Sequence, residues 1–169
     1  MIMEDFIYNQ HNIPKGKWRY GFRSSAATGC GWIATYNALQ LLGKYVKPES
    51  LIRSYEQQVP LINGNLGTVL FGPALWFHKR GYPVKMHLRR EDFDEAAKKA
   101  DVSILFFRWI KKYKYGAHFI ALKHDDCGFT GYNVYRTSTG PDYLGNSLSH
   151  FLARRKYFGA VLFTIENQP

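Results

Sequence analysis

Cys30 stands at the start of a segment in which a cysteine could act as a nucleophile. After Gly31 the chain runs to Leu42 without a proline or a charge, and apolar residues fall on almost every side of a 3.6-residue period, which is typical of a buried helix. A sulfur in the first turn of such a helix lies near unpaired backbone N–H groups and the positive end of the helix dipole, and both stabilise a thiolate. Gly29 and Gly31 flank this sulfur and would leave room for a substrate.

We predict that this helix begins after Thr28, whose hydroxyl suits an N-cap, and ends at Gly43, where glycine can take the left-handed conformation. Cysteine is also among the residue types most often buried, so Cys30 by itself could be a small core residue. A catalytic assignment requires histidine and asparagine or aspartate partners from elsewhere in the chain.

A hairpin in the second half of the chain supplies such partners. Residues 117–123 and 129–137 flank the turn sequence Asp125-Asp126-Cys127-Gly128, a pattern typical of two antiparallel strands. Because side chains alternate along a strand, the register set by a two-residue loop projects His118 and Asn133 from the same face as diagonal neighbours.

The rest of the chain places helices first and strands later. We predict helices over Pro48–Gln58, Pro73–Gly81, Glu91–Ala100 and Ser147–Lys156, and strands over Pro83–Leu88, Val102–Trp109 and Tyr157–Glu166. Residues 63–68 are rich in glycine and asparagine but match no phosphate-binding fingerprint, so we predict a turn there. This order indicates one α+β domain over residues 1–169, with a buried helix packed on a mostly antiparallel sheet.

Composition excludes several other classes. A hydrophobic content of 46% and an aromatic content of 17% exclude disorder as the default. The first six residues carry the acidic Glu4 and Asp5 where a signal peptide would be basic, and no apolar core of a signal peptide follows. The longest apolar run, Val69–Phe77, is too short to cross a bilayer. Two cysteines without a CxxC spacing predict reduced thiols. We therefore expect a cytoplasmic protein without a membrane span.

The net charge of +10 favours acidic partners. Its cations are scattered as doublets that match no nucleic-acid-binding motif, so nucleic-acid binding is kept only as an alternative. We predict a basic, aromatic loop over Lys111–Gly116, next to His118, and expect it to favour an acidic peptide. Because no spacing of His, Cys, Asp and Glu matches a metal-ligand pattern, we expect neither a metal nor another cofactor.

Taken together, these features resemble the papain-like cysteine peptidases. The matching features are Gly29-Cys30-Gly31 at the start of a buried helix, a Gly67-Thr68 turn into a later helix, and Ala117-His118-Phe119-Ile120 followed by a polar residue on the next strand. Within that superfamily, the chain is most similar to the short bacteriocin-processing type that cuts after double-glycine leaders. The resemblance implies a papain-like fold and a cysteine peptidase or amide hydrolase with a thioester intermediate.

Carried over position by position, the resemblance makes Cys30 the nucleophile, His118 its base and Asn133 the group that orients the imidazole. An imidazole used in this way must be held in one tautomer by a hydrogen bond to its other nitrogen. Two alternatives use the same framework. One is acyl or peptidyl transfer on the same three residues, and the other is an inactive papain-like domain that binds peptides.

One position departs from the family. Papain-like peptidases carry a glutamine six residues before the nucleophile, where its amide stabilises the oxyanion, and this chain has Ser24 there. We expect the N-terminal segment to fold back and place Gln10 near Cys30, where its amide would supply the hydrogen-bond donor for the oxyanion. Ser24 and Ser25 are the next candidates.

Overall fold

The structure is a computed structural model that describes residues 6–58 and 67–168. The helices of these residues are α1 (Ser25–Thr28), α2 (Cys30–Leu41), α3 (Pro48–Gln58), α4 (Gly72–His78), α5 (Phe93–Lys99) and α6 (Leu148–Arg154). Their strands are β1 (Arg19–Tyr20), β2 (Arg23–Ser24), β3 (Val84–His87), β4 (Val102–Lys111), β5 (Lys114–Asp125), β6 (Gly128–Tyr132), β7 (Asp142–Gly145) and β8 (Phe158–Ile165). Short 3₁₀ turns occupy Gln10–Asn12 and Arg90–Asp92.

Six strands form one sheet with the order β3-β8-β4-β5-β6-β7, and each neighbouring pair is antiparallel. The two short strands β1 and β2 form a separate hairpin. The predicted class, an α+β chain with helices first and a mostly antiparallel sheet later, is confirmed. No helix within residues 6–58 and 67–168 has both the length and the apolar character needed to cross a bilayer.

Helix α2 is the buried helix that the sequence predicts. All ten residues from Gly31 to Gln40 are buried, and the helix packs against β4, β5, α3 and α4. Gly43 ends it as predicted, with a φ of +70°, while the Lys44 N–H donates to the Leu39 carbonyl. The predicted N-cap is wrong, because Thr28 ends α1 and Gly29 occupies the cap position of α2.

Both faces of the sheet carry a hydrophobic core. Helices α2, α3 and α4 cover one face, and α5 and α6 cover the other. Successive residues of β4 alternate between them, so Ile104 and Phe106 join the α2 side while Leu105 and Phe107 join the α6 side. Each such buried side chain contributes about 1.5–3 kcal/mol to the free energy of unfolding. Because both faces of β4 are buried, its sequence is a nearly continuous apolar run rather than an alternating one.

The β5–β6 hairpin has the predicted register. Ala121 pairs with Tyr132 and Asp125 with Gly128, which leaves a two-residue loop. However, β6 ends at Tyr132, so the predicted continuation of this strand to Thr137 is wrong. Asn133 has a φ of +61°, and this left-handed residue turns the chain out of the sheet. The first part of β5 therefore extends beyond the end of β6.

One further prediction is corrected. The predicted loop over Lys111–Gly116 is the end of the long β4–β5 hairpin, since Lys111 pairs with Lys114 and Lys112 turns the chain with a φ of +54°. The turn predicted over residues 63–68 lies outside the described residues up to position 66. Helix α3 has the predicted bounds. Helix α6 is shorter than the predicted Ser147–Lys156, but Ser147 caps it as predicted, because its side chain accepts from the His150 N–H.

We expect Gly43→Ala to lower the free energy of unfolding by about 1–2 kcal/mol, because a Cβ is disfavoured in the left-handed conformation. Space is not the cause, since an added Cβ at this position would meet nothing within 4 Å. Gly140→Ala is the matched control. It has equally open surroundings without a positive φ, so we expect no loss of stability there. Equal destabilisation of both variants in urea titrations would contradict this explanation of how α2 ends.

Candidate active site

A cavity of about 690 Å³ lies where the chain leaves the sheet after β6. Its walls come from the first 3₁₀ turn, the junction of α1 and α2, the β4–β5 hairpin, the segment after β6 and the junction of α6 and β8. The cavity brings together all four residues that the sequence analysis assigned to the site, Gln10, Cys30, His118 and Asn133.

Cys30 is the first residue of α2 and is half-buried. Burial raises the pKa of its thiol, although the backbone N–H groups of Phe119, Gly31 and Cys30 itself face the sulfur and act in the opposite direction. The expected stabilisation of a thiolate by the helix terminus is therefore outweighed by the loss of solvent. At neutral pH the resting group is a thiol.

The two glycines beside Cys30 serve packing rather than substrate access. A Cβ at Gly29 would lie 2.6 Å from the Ser25 carbonyl oxygen, and one at Gly31 would lie 2.2 Å from Oγ1 of Thr68. Both contacts are far closer than atoms can approach without a shift. The glycines thus let α1 and Thr68 pack directly against the start of α2, and so fix the position of the sulfur.

His118 is held by one short hydrogen bond. Its Nε2 lies 2.6 Å from the backbone carbonyl oxygen of Asn133. A carbonyl only accepts, so Nε2 must carry the hydrogen, and Nδ1 of the neutral ring is left as the basic nitrogen. Burial lowers the pKa of His118 to about 4, which the Asn133 carbonyl partly opposes and nearby His11 reinforces. At neutral pH the ring is therefore uncharged and able to accept a proton.

Asn133 holds His118 with its main chain, whereas the sequence analysis assigned that role to the side chain. The φ of +61° aims the Asn133 carbonyl at the imidazole, and asparagine tolerates this conformation better than most residues. The side-chain amide instead pairs with Gln10 in both directions. The Gln10 N–H donates to Asn133 Oδ1 at 2.9 Å, and Asn133 Nδ2 donates to Gln10 Oε1 at 3.0 Å.

Gln10 is buried in the wall of the cavity. Besides its pairing with Asn133, its Nε2 donates to the Ala26 carbonyl at 3.0 Å, which uses one of the two N–H donors of the amide. The alternative donors are placed differently. Ser24 lies in β2, opposite Arg19, and the buried Ser25 hydroxyl donates to a backbone carbonyl and accepts from Trp32 Nε1.

The sequence analysis missed other residues of the cavity. His11 follows Gln10 in the same 3₁₀ turn and lines the cavity. Phe107 stacks on Tyr157 with ring centroids 4.3 Å apart and meets the His118 ring edge-on at 6.0 Å. Trp109 lies against Gly116, where an added Cβ would be 2.2 Å from the indole. The signal for this aromatic wall was Phe107 and Trp109 on alternate positions of one predicted strand.

A comparison with models of known protein families gives no match, and neither does a comparison with curated proteins. Within the described part of the chain, no group of three or more His, Cys, Asp or Glu residues is placed to hold a metal ion.

We expect Asn133→Gly to leave the His118 ring in place, because glycine adopts a positive φ readily and supplies the same carbonyl. Loss of the pairing with Gln10 should lower the free energy of unfolding by about 2–4 kcal/mol, since buried polar groups lose their partners. Nitrogen-15 NMR of the imidazole is expected to report hydrogen on Nε2 in both proteins. Transfer of that hydrogen to Nδ1 in the variant would show that the side chain, and not the carbonyl, holds the ring.

The lowered pKa of His118 makes the stability of the chain depend on pH. The pKa of His118 is about 4 in the folded chain against an ordinary value of 6.5. As the pH falls, the imidazole is therefore protonated in the unfolded chain at a higher pH than in the folded chain. The stability that the neutral ring provides is present above pH 6.5 and is lost as the pH falls towards 4, by up to about 3 kcal/mol. In urea titrations, the difference in the free energy of unfolding between the natural protein and His118→Gln should change by this amount between pH 7 and pH 4. A difference that stays constant over this range would contradict the lowered pKa.

Proposed function

We propose that the chain is a papain-like cysteine peptidase or amide hydrolase, in which Cys30 is the nucleophile and His118 is its base. The observation that carries the proposal is the hydrogen bond from His118 Nε2 to the Asn133 carbonyl, at 2.6 Å. It leaves a basic Nδ1 on a ring that shares one cavity with a half-buried thiol. A base of fixed tautomer in the same cavity as a thiol is an arrangement that nucleophilic catalysis by cysteine can use.

In the first half of the reaction, Cys30 Sγ attacks the carbonyl carbon of the substrate amide while its proton passes to His118 Nδ1. The carbonyl electron pair moves onto oxygen to give a tetrahedral oxyanion. When this intermediate collapses, the C–N bond breaks and His118 returns the proton to the leaving amine. Because the resting pair is a thiol and a neutral imidazole, proton transfer accompanies the attack and no thiolate is formed beforehand.

In the second half, His118 Nδ1 takes a proton from water, whose oxygen attacks the thioester carbon. Collapse of the second tetrahedral intermediate breaks the C–S bond, releases the acid and returns the proton to sulfur. An amine in place of water would give transfer instead of hydrolysis, with the same roles for Cys30 and His118.

The oxyanion needs hydrogen-bond donors beside the sulfur. We assign this role to the backbone N–H of Cys30, in the first turn of α2, and to the second Nε2–H of Gln10. Gln10 is held by its pairing with Asn133 and its bond to Ala26, so this donor is fixed before a substrate binds. Fixed donors of this kind typically contribute about 2.7–4 kcal/mol to the transition state.

The papain-like assignment draws on the arrangement of elements. A nucleophile opens a buried helix, and the base lies on the antiparallel strand against which that helix packs. We extend the proposal to one domain over residues 1–169 and, because Cys30 and Cys127 are both free thiols, to a reducing compartment such as the cytoplasm.

A second candidate is a papain-like domain that binds peptides without cleaving them. Two observations favour it. Ser24 occupies the position at which the family carries glutamine, and burial raises the pKa of the Cys30 thiol. In this case the cavity would still bind a peptide, but the thiol would not react with it.

Cleavage of a peptide library, read as new amino termini by mass spectrometry, separates the two candidates. We expect cleavage by the natural protein and by Cys127→Ala, whose exposed cysteine lies in the β5–β6 loop, and none by Cys30→Ala or His118→Ala. Gln10→Ala should lower kcat by about 10²–10³ if its amide binds the oxyanion. Absence of cleavage by the natural protein, or cleavage that survives Cys30→Ala, would overturn the proposed function.

A further inference from the structure

The charged residues that line the cavity all carry the same sign. Among its described lining residues none is acidic, and the four cations are Lys111, Arg136, Arg155 and Lys156. The ion pairs of the described residues involve other cations, namely Lys85, Arg89, Lys98 and Lys99. The cavity therefore holds an excess of positive charge that the described acidic side chains do not neutralise.

One of these cations is held in position by a neighbour, and the main chain of a second is fixed. The Arg155 guanidinium lies over the Tyr135 ring, 4.7 Å from its centroid. The main chain of Arg136 is fixed because its carbonyl accepts from Asn9 Nδ2 at 2.5 Å. Because the Arg155 side chain is already ordered, it loses less conformational entropy when it binds a carboxylate, and its planar fork suits that group.

Lys156 occupies a backbone position that favours glycine. It follows the end of α6 with a φ of +56°, where the Lys156 N–H donates to Ala153 and the Tyr157 N–H donates to Leu152. This is the hydrogen-bond pattern of a helix end that usually carries glycine. Strained backbone conformations cluster at functional sites, so this conformation favours a functional role for the Lys156 side chain.

The basic segment Lys111–Gly116, which the sequence predicted to favour an acidic peptide, contributes one lysine to the lining of the cavity. Lys112 and Lys114 are exposed at its tip, whereas Lys111 alone of its lysines lines the cavity. The cations that share the cavity with Cys30 come mainly from the segment after β6 and from the end of α6.

We propose that Arg136, Arg155 and Lys156 select peptides that carry a carboxylate side chain, Asp or Glu, close to the bond that is cleaved. This inference rests on the proposed function, because it places the carboxylate in the same cavity as the reacting thiol. A cavity of about 690 Å³ has room for several residues of an extended peptide. Its positive charge attracts an acidic segment and disfavours a basic one.

Alkylation of Cys30 tests the proposal without a known substrate. Iodoacetate and iodoacetamide react with the same sulfur, but only iodoacetate is anionic, so the ratio of their rates reports the local charge and not the reactivity of the thiol. We expect this ratio at Cys30, measured by peptide mapping, to exceed that of free cysteine by about threefold or more at low salt and to fall as salt is added. A ratio equal to that of free cysteine would overturn the proposal while leaving the proposed function intact.

Charge variants locate the effect. Arg155→Glu and Lys156→Gly should each lower the ratio, and Lys156→Gly should do so without loss of stability because glycine suits the backbone there. Lys112→Glu makes the same charge change as Arg155→Glu outside the cavity and is the matched control. A decrease as large in Lys112→Glu as in Arg155→Glu would show that net charge, and not the cavity, sets the ratio, and would overturn the proposal.

Protection experiments identify the ligand class. Hexaglutamate should slow the reaction of Cys30 with iodoacetamide at concentrations at which hexaglutamine has no effect. Stronger protection by a single-stranded oligonucleotide than by hexaglutamate would assign the cavity to nucleic acid and overturn the peptide proposal.

Discussion

The hydrogen bond from His118 Nε2 to the Asn133 carbonyl determines the chemistry available to the cavity, because it leaves a basic Nδ1 on the imidazole. That bond in turn depends on the left-handed backbone of Asn133. The conformation is supported by the paired amides of Asn133 and Gln10, since a strained residue persists only where its surroundings determine it. A contact between two distant segments, residues 10 and 133, thus sets the tautomer of a third residue.

The same turn at Asn133 also creates the cavity. Strand β6 ends at Tyr132, opposite Ala121, so residues 114–120 of β5 pair with β4 but not with β6. The edge of β5 beside His118 is therefore not covered by another strand. Helix α2 packs on one face of the sheet, and by strand alternation His118 belongs to the other face, where it contacts Phe107. The gap beside β5 lets Cys30 and His118 share one cavity although they approach from different faces of the sheet.

Local patterns were sufficient to predict much of the fold. The apolar residues on all sides of α2, the proline that begins α3 and the two-residue loop after β5 are short-range signals. Tertiary effects account for what the sequence did not reveal. The sequence of residues 132–135 is typical of a continuing strand, but the pairing of Asn133 with the distant Gln10 turns the chain out of the sheet. The raised pKa of the Cys30 thiol depends on burial, which arises only when the chain packs.

A joint X-ray and neutron structure of the protein at neutral pH tests the roles of His118 and Cys30 most directly, because it locates the hydrogens as well as the heavy atoms. We predict deuterium on Nε2 of His118, directed at the Asn133 carbonyl, and a deuterated Cys30 thiol that faces a bare Nδ1. Deuterium on Nδ1, or a sulfur turned away from the imidazole into the core, would contradict these roles.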